Sequence, residues 1–108
     1  MSKFTDFIDS IVDAGKPLAK AEIKQLVSNA KKDQSDFVRL QAENLERWTV
    51  MLADGDLTVP GYKKLVQKME VLTQLENIKL KASAKASAQR LAEGIKTLVV
   101  DKLFALLK

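Results

Sequence analysis

The chemical inventory of this chain is carboxylates, lysines, three arginines, amides, hydroxyls and a single tyrosine, Tyr62, with no histidine and no cysteine. The commonest general base and metal ligand are therefore missing, as are thiol nucleophiles, thiolate sites and disulfides. A cysteine-free chain also suits a reducing compartment. Catalysis would have to come from paired carboxylates or a lysine, and no pairing stands out from ordinary helical surface spacing. Glu43 and Glu46, with Arg39 and Arg47 beside them, read as solvated flanks of a helix. Asp54-Gly55-Asp56-Leu57-Thr58 resembles the start of a calcium loop, but Val59 stands at the sixth position and Leu65 at the twelfth, where Gly and Glu are required. The segment reads as a helix-to-helix turn instead. No catalytic residue, metal ligand, cofactor or small-molecule substrate is expected.

Lys79, Lys81, Lys85 and Arg90 form an acid-free basic run, the kind of concentration that contacts phosphate backbones. On one helix, however, Lys81 and Lys85 fall roughly opposite Lys79 and Arg90, so nucleic-acid binding is expected to be weak and non-specific. Trp48 reads as a large core residue in a helix seam rather than a ligand-stacking one.

These residues must be positioned by helices. An interface seam runs through Ile23, Val27, Ala30, Gln34, Phe37, Gln41, Asn44, Trp48 and Met51, stepping four and three residues as helix-to-helix packing requires. Neither Gly nor Pro lies between Pro17 and Gly55, which predicts a long helix over about 17–53, with the polar stretch Ser28–Ser35 as its one candidate break. Gly55, Thr58 and Pro60 suit a left-handed helix end, an N-cap and a first turn, so 54–58 reads as a reversal. A second long helix is predicted over about 59–93. One of its sides carries Tyr62, Leu65, Val66, Met69 and Leu72, rejoined by Leu80, Ala84, Ala88, Leu91, Ile95 and Leu98. Another carries Val71, Leu75, Ile78, Ala82 and Ala86, and two apolar sides ask for more than one neighbour. Short amphipathic helices complete the chain. The first, about 3–14, is capped by Ser2, stops at Ala14–Gly15 and carries Phe4, Phe7, Ile8, Ile11 and Val12. The other, about 95–107, includes Leu103, Phe104 and Leu107 and either continues the second helix or bends at Gly94.

With 108 residues, 46% hydrophobic and 30% charged, the chain fits one all-α domain. The predicted architecture is a long antiparallel helical hairpin with short amphipathic terminal helices. A pair of helices some 50 Å long, by the rise of about 1.5 Å per residue, cannot enclose a core alone, so association into a multi-chain helical bundle is expected. Ala82 and Ala86 are assigned to contacts between chains, and Ala84 and Ala88 to packing within the hairpin.

The expected function is that of a non-enzymatic structural or interaction protein that self-assembles as a homo-oligomer. The alternative is a membrane-active protein, pore-forming or lipid-binding, that uses its apolar terminal helices. Asp6, Asp9 and Asp13 interrupt any signal-peptide core, and no segment reaches the apolar length of a spanning helix, so a cytoplasmic location is expected, with secretion by a signal-independent route left open. Net charge is uneven. Residues 1–54 hold 8 basic and 9 acidic groups, and residues 55–108 hold 10 and 5, so the balance is −1 against +5.

Overall fold

Which segments become helices here is decided by local capping and by which apolar sides can be covered. In a computed structural model, residues 3–11 and 19–107 are described, the side chain of Asn77 excepted, and every regular element among them is helical. We label them α1 (Lys3–Ser10), α2 (Lys20–Lys31), α3 (Asp36–Ala53) and α4 (Val59–Glu76), the last followed by a 3-10 turn at Asn77–Lys79. α5 starts at Ala82 and is α-helical to Gly94. It then runs on through a wider π-wound stretch, Ile95–Leu103, to a last turn at Phe104–Leu106. The expected Ser2 cap, Ala14–Gly15 and Pro17 lie outside the described residues, while α1, expected to run to about 14, ends at Ser10, and α2, expected from about 17, starts at Lys20 after Ala19.

The single helix expected over 17–53 is two helices. At the elbow between α2 and α3, Asp33 Oδ1 accepts the Ser35 N–H at 2.9 Å and Ser35 Oγ accepts the Val38 N–H at 3.4 Å. Arg39 donates to the carbonyls of Asp33 and Gln34 at 2.8 and 3.3 Å and pairs with the Asp36 carboxylate. Side chains thus replace the helical ladder, as Ser and Asp do wherever they compete for backbone groups. The helix expected over 59–93 is also two, and here the chain reverses. The Tyr62 and Phe104 rings meet edge to face with centroids 6.0 Å apart, and Lys63 Nζ lies 5.7 Å from the Phe104 centroid and 3.4 Å from the Leu107 carbonyl oxygen. The start of α4 therefore sits beside the end of α5. Folding back covers the inner side of α4 with the chain's own C-terminal segment, which a straight helix would leave to water. A body of 39 × 24 × 24 Å takes the place of the long hairpin.

Residues 54–58 form the other reversal. Gly55 has φ +83°, its N–H donates to Leu52 O at 3.2 Å, and the Asp56 N–H donates to Met51 O at 2.8 Å, the paired bonds of a Schellman helix end. Thr58 then caps α4, its Oγ1 accepting the Gly61 N–H at 3.1 Å.

The core draws on every helix. Phe4 and Ile8 of α1, Ile23 and Val27 of α2, Val38 and Leu45 of α3, Tyr62 and Val66 of α4, and Leu91, Ile95 and Val99 of α5 are all buried. Late in α5 the buried positions step from Leu98 and Val99 to Leu103 and Phe104. That five-residue step matches i→i+5 winding, seen where the Phe104 N–H bonds Val99 O. It keeps Lys102 outside and turns two large apolar side chains inward. Gly94 is needed where α2 crosses α5, since a Cβ there would come within 2.6 and 2.8 Å of the two Leu26 methyls. Thr49 and Tyr62, both fully buried, satisfy each other through hydroxyls 2.9 Å apart, and Thr49 also donates to Leu45 O at 2.7 Å.

Two outcomes are expected. Gly94→Val should cost about 1–3 kcal/mol in urea unfolding through overpacking, and Leu26→Ala should cost less in that background than alone, because it vacates the crowded space. Burial pushes the Tyr62 hydroxyl up to about 12 against the smaller, opposite effect of its bond with Thr49. The folded chain then keeps a proton that the unfolded chain loses, so stability should fall by about 2–3 kcal/mol as pH rises from about 10 to 12. Chemical denaturation along that range should lack this limb in Tyr62→Phe.

Candidate interaction face

From its Thr58 cap, α4 turns Tyr62, Val66, Met69 and Thr73 inward, all of them buried. At about 100° per residue the opposite side carries Lys64, Lys68, Val71, Leu72 and Leu75, and Ile78 follows in the 3-10 turn. The four aliphatic residues there stand in water, with Val71 52%, Leu72 44%, Leu75 62% and Ile78 72% exposed. They occupy the end of α4 next to the 77–81 reversal, away from the end where Tyr62 meets Phe104. Ala82 and Ala86, at the start of α5, are exposed as well.

Along the sequence this part of the chain is mostly basic: residues 57–90 contain seven basic groups and two acidic ones, Glu70 and Glu76, with Lys63 over Phe104 at the far end of α4, Arg90 facing Asp33, and Lys79 and Lys81 sharing a groove with Asp33 and Asp36. Lys64 and Lys68 precede the stripe on its own side of α4, and Lys79, Lys81 and Lys85 follow it. Glu76 has Lys79 Nζ 3.7 Å away, and half-buried Glu70 accepts from Gln74 Nε2 at 3.0 Å. Apolar contact is therefore offered together with positive charge, which is what a surface binding to an apolar and anionic partner needs.

Beside the reversal, the α2–α3 elbow and the start of α5 enclose an open groove of about 670 Å³ lined by Asp33, Asp36, Lys79, Lys81, Ser83 and Ser87, among others. Burial acts to raise the Asp33 carboxyl. The Ser35 N–H, the Ser87 hydroxyl and the charges of Arg90 and Arg39 outweigh it and hold the group below its ordinary value. Ser87 Oγ donates to Ser83 O at 3.5 Å and accepts from Arg90 at 3.4 Å. Between α1, α2 and α3 a cleft of about 450 Å³ carries Lys24 and Lys31, which pair with Asp9 at 2.6 Å and Glu46 at 3.0 Å. Among the described residues no cluster of three or more acidic side chains could hold a metal ion. Nor is any described helix long and apolar enough to cross a membrane.

The residues assigned to an interface from sequence go to different places. Ile23, Val27, Ala30 and Gln41 are buried in the chain's own core, Phe37, Asn44, Trp48 and Met51 are half-buried, and Gln34 is exposed on the elbow. Of the terminal group, Leu103 and Phe104 are core and Leu107 is half-buried, so these apolar positions face protein. Val71, Leu75, Ile78, Ala82 and Ala86 are all exposed, while Ala88 is buried and Ala84 half-buried. Leu72, assigned by its spacing to the inner side, joins the outer stripe. On one straight helix Lys79, Lys81 and Lys85 would fall on different sides, and it is the reversal at 77–81 that sets them beyond the end of the stripe. Comparison with known proteins finds no matching family model, no matching curated protein and no matching solved structure.

Asp33→Asn should weaken the elbow by about 0.5–1 kcal/mol at neutral pH, since a neutral amide accepts less strongly. A lowered carboxyl stabilises the fold above its ordinary titration and loses that contribution as pH falls through the lowered value. The gap between wild type and Asp33→Asn in thermal unfolding should therefore close below about pH 4.

Proposed function

We propose that this chain is a non-enzymatic interaction module that docks through the 71–78 side of α4 onto a partner combining apolar surface with negative charge. One observation carries the reading. Val71, Leu72, Leu75 and Ile78 are held out to solvent on the far side of a well-packed helix, within a margin of lysines. Covering such half-exposed aliphatic side chains returns about 1 kcal/mol each, so a monomer gains nothing by displaying them and a complex gains several.

Self-assembly into a multi-chain helical bundle is the second reading. It is favoured by the spacing of Val71, Leu75 and Ile78, which step four and then three residues like a coiled-coil seam. The lysines argue against it, because either direction of pairing between two copies of this side brings lysine towards lysine.

Sedimentation over about a hundredfold range of concentration should show a monomer. A dimer that Leu75→Gln with Ile78→Gln dissociates would replace the proposal with the second reading. The same double variant should keep its unfolding free energy within about 0.5 kcal/mol of wild type, as exposed positions do, whereas a loss above about 2 kcal/mol would make the stripe part of the core and end the proposal.

A further inference from the structure

Resting on that docking reading, we infer that the partner of the 71–78 side is the surface of a bilayer containing anionic lipid. Three properties of this side separate a lipid surface from an acidic protein. It projects into solvent, since Val71, Leu72, Leu75 and Ile78 are exposed and line neither of the two cavities described above. A projecting side suits a soft, planar layer that closes around side chains, whereas a protein partner would have to supply a matching groove. Its composition is aliphatic and lysine-rich, with no aromatic residue or arginine in the stripe. Protein interfaces draw their energy from Trp, Tyr and Arg anchors and are depleted in Lys. Lysine suits lipid for a mechanical reason: its long stem lies along apolar surface while the ammonium stays among headgroups.

Placement completes the argument. Because α4 and α5 run antiparallel, Ile78 stands at their reversal with Lys79 and Lys81 close behind it, and Lys64 and Lys68 lie further back along the same side of α4. That end can dip its aliphatic side chains to the headgroup–acyl boundary, about 5–10 Å deep, with lysines left at the level of the phosphates. A single short apolar anchor gives only marginal adsorption, and several lysines alone give a salt-sensitive one. Binding should therefore need both together.

Flotation of the full chain with vesicles tests this. Vesicles of phosphatidylcholine containing about one-third phosphatidylglycerol should carry the protein, phosphatidylcholine alone should not, and raising the salt should weaken the binding. Leu75→Gln with Ile78→Gln should reduce binding about tenfold or more, and Lys68→Gln or Lys79→Gln about fivefold each. Absence of binding to the anionic vesicles would overturn the inference, and so would binding that the double Gln variant retains in full. Soluble polyglutamate is the control for an acidic protein partner. Capture by polyglutamate that depends on Leu75 and Ile78, with vesicles ignored, would reject lipid and leave the docking side standing. Unfolding of the double variant would reject both.

Discussion

The fold depends on the reversal at 77–81. α4 has a continuous inner side, Tyr62, Val66, Met69 and Thr73, that must be covered, and α5 with its π-wound continuation is the longest apolar surface available to cover it. Once α5 returns along α4, the remaining helices have little freedom. α2 must cross α5 where Gly94 leaves room for Leu26, and α1 closes the side against α2 and α3. The same reversal puts the outer end of α4 where no other part of the described chain reaches it. The exposed stripe is thus a consequence of how the core was closed, and it costs the core nothing.

Electrostatics divide along the chain in the same manner. Four of the five ion pairs among the described residues, Lys3–Asp54, Lys24–Asp9, Lys31–Glu46 and Arg39–Asp36, lie within residues 1–54, which nearly balance their own charge. The fifth, Lys79–Glu76, is the one pair within residues 55–108 among those described, so the excess of that half stays on the surface. Exposed pairs of this kind contribute little stability, about 0–1 kcal/mol each. Their consequence lies in the field they leave: one end neutralised internally, the other carrying its lysines into solvent around an apolar stripe.

A good deal of this was legible in the sequence. The helical class, the reversal at 54–58 with its left-handed Gly55 and its Thr58 cap, and Tyr62, Val66 and Met69 of the inward side of α4, though not Thr73 and with Leu72 misplaced, follow from turn chemistry and a 3.6-residue period, both local properties. The existence of a second apolar side on Val71, Leu75 and Ile78 was legible too. The catalytic inventory was thin from composition alone, since no fold can supply an imidazole or thiol that the chain lacks.

Tertiary structure decided where the long helical patterns break and what each apolar side meets. Helical phase carries across the elbow at 32–35 and the joint at 77–81 without any Gly or Pro to mark them, so periodicity could not distinguish one helix from two. Choosing between them required comparing a few backbone hydrogen bonds with the burial of a whole helix side, a sum over residues far apart in sequence. For the same reason Leu103 and Phe104 became core while Ile78 became surface. Residue type sets what a side chain gains by burial, and only the closed fold determines which of them is buried.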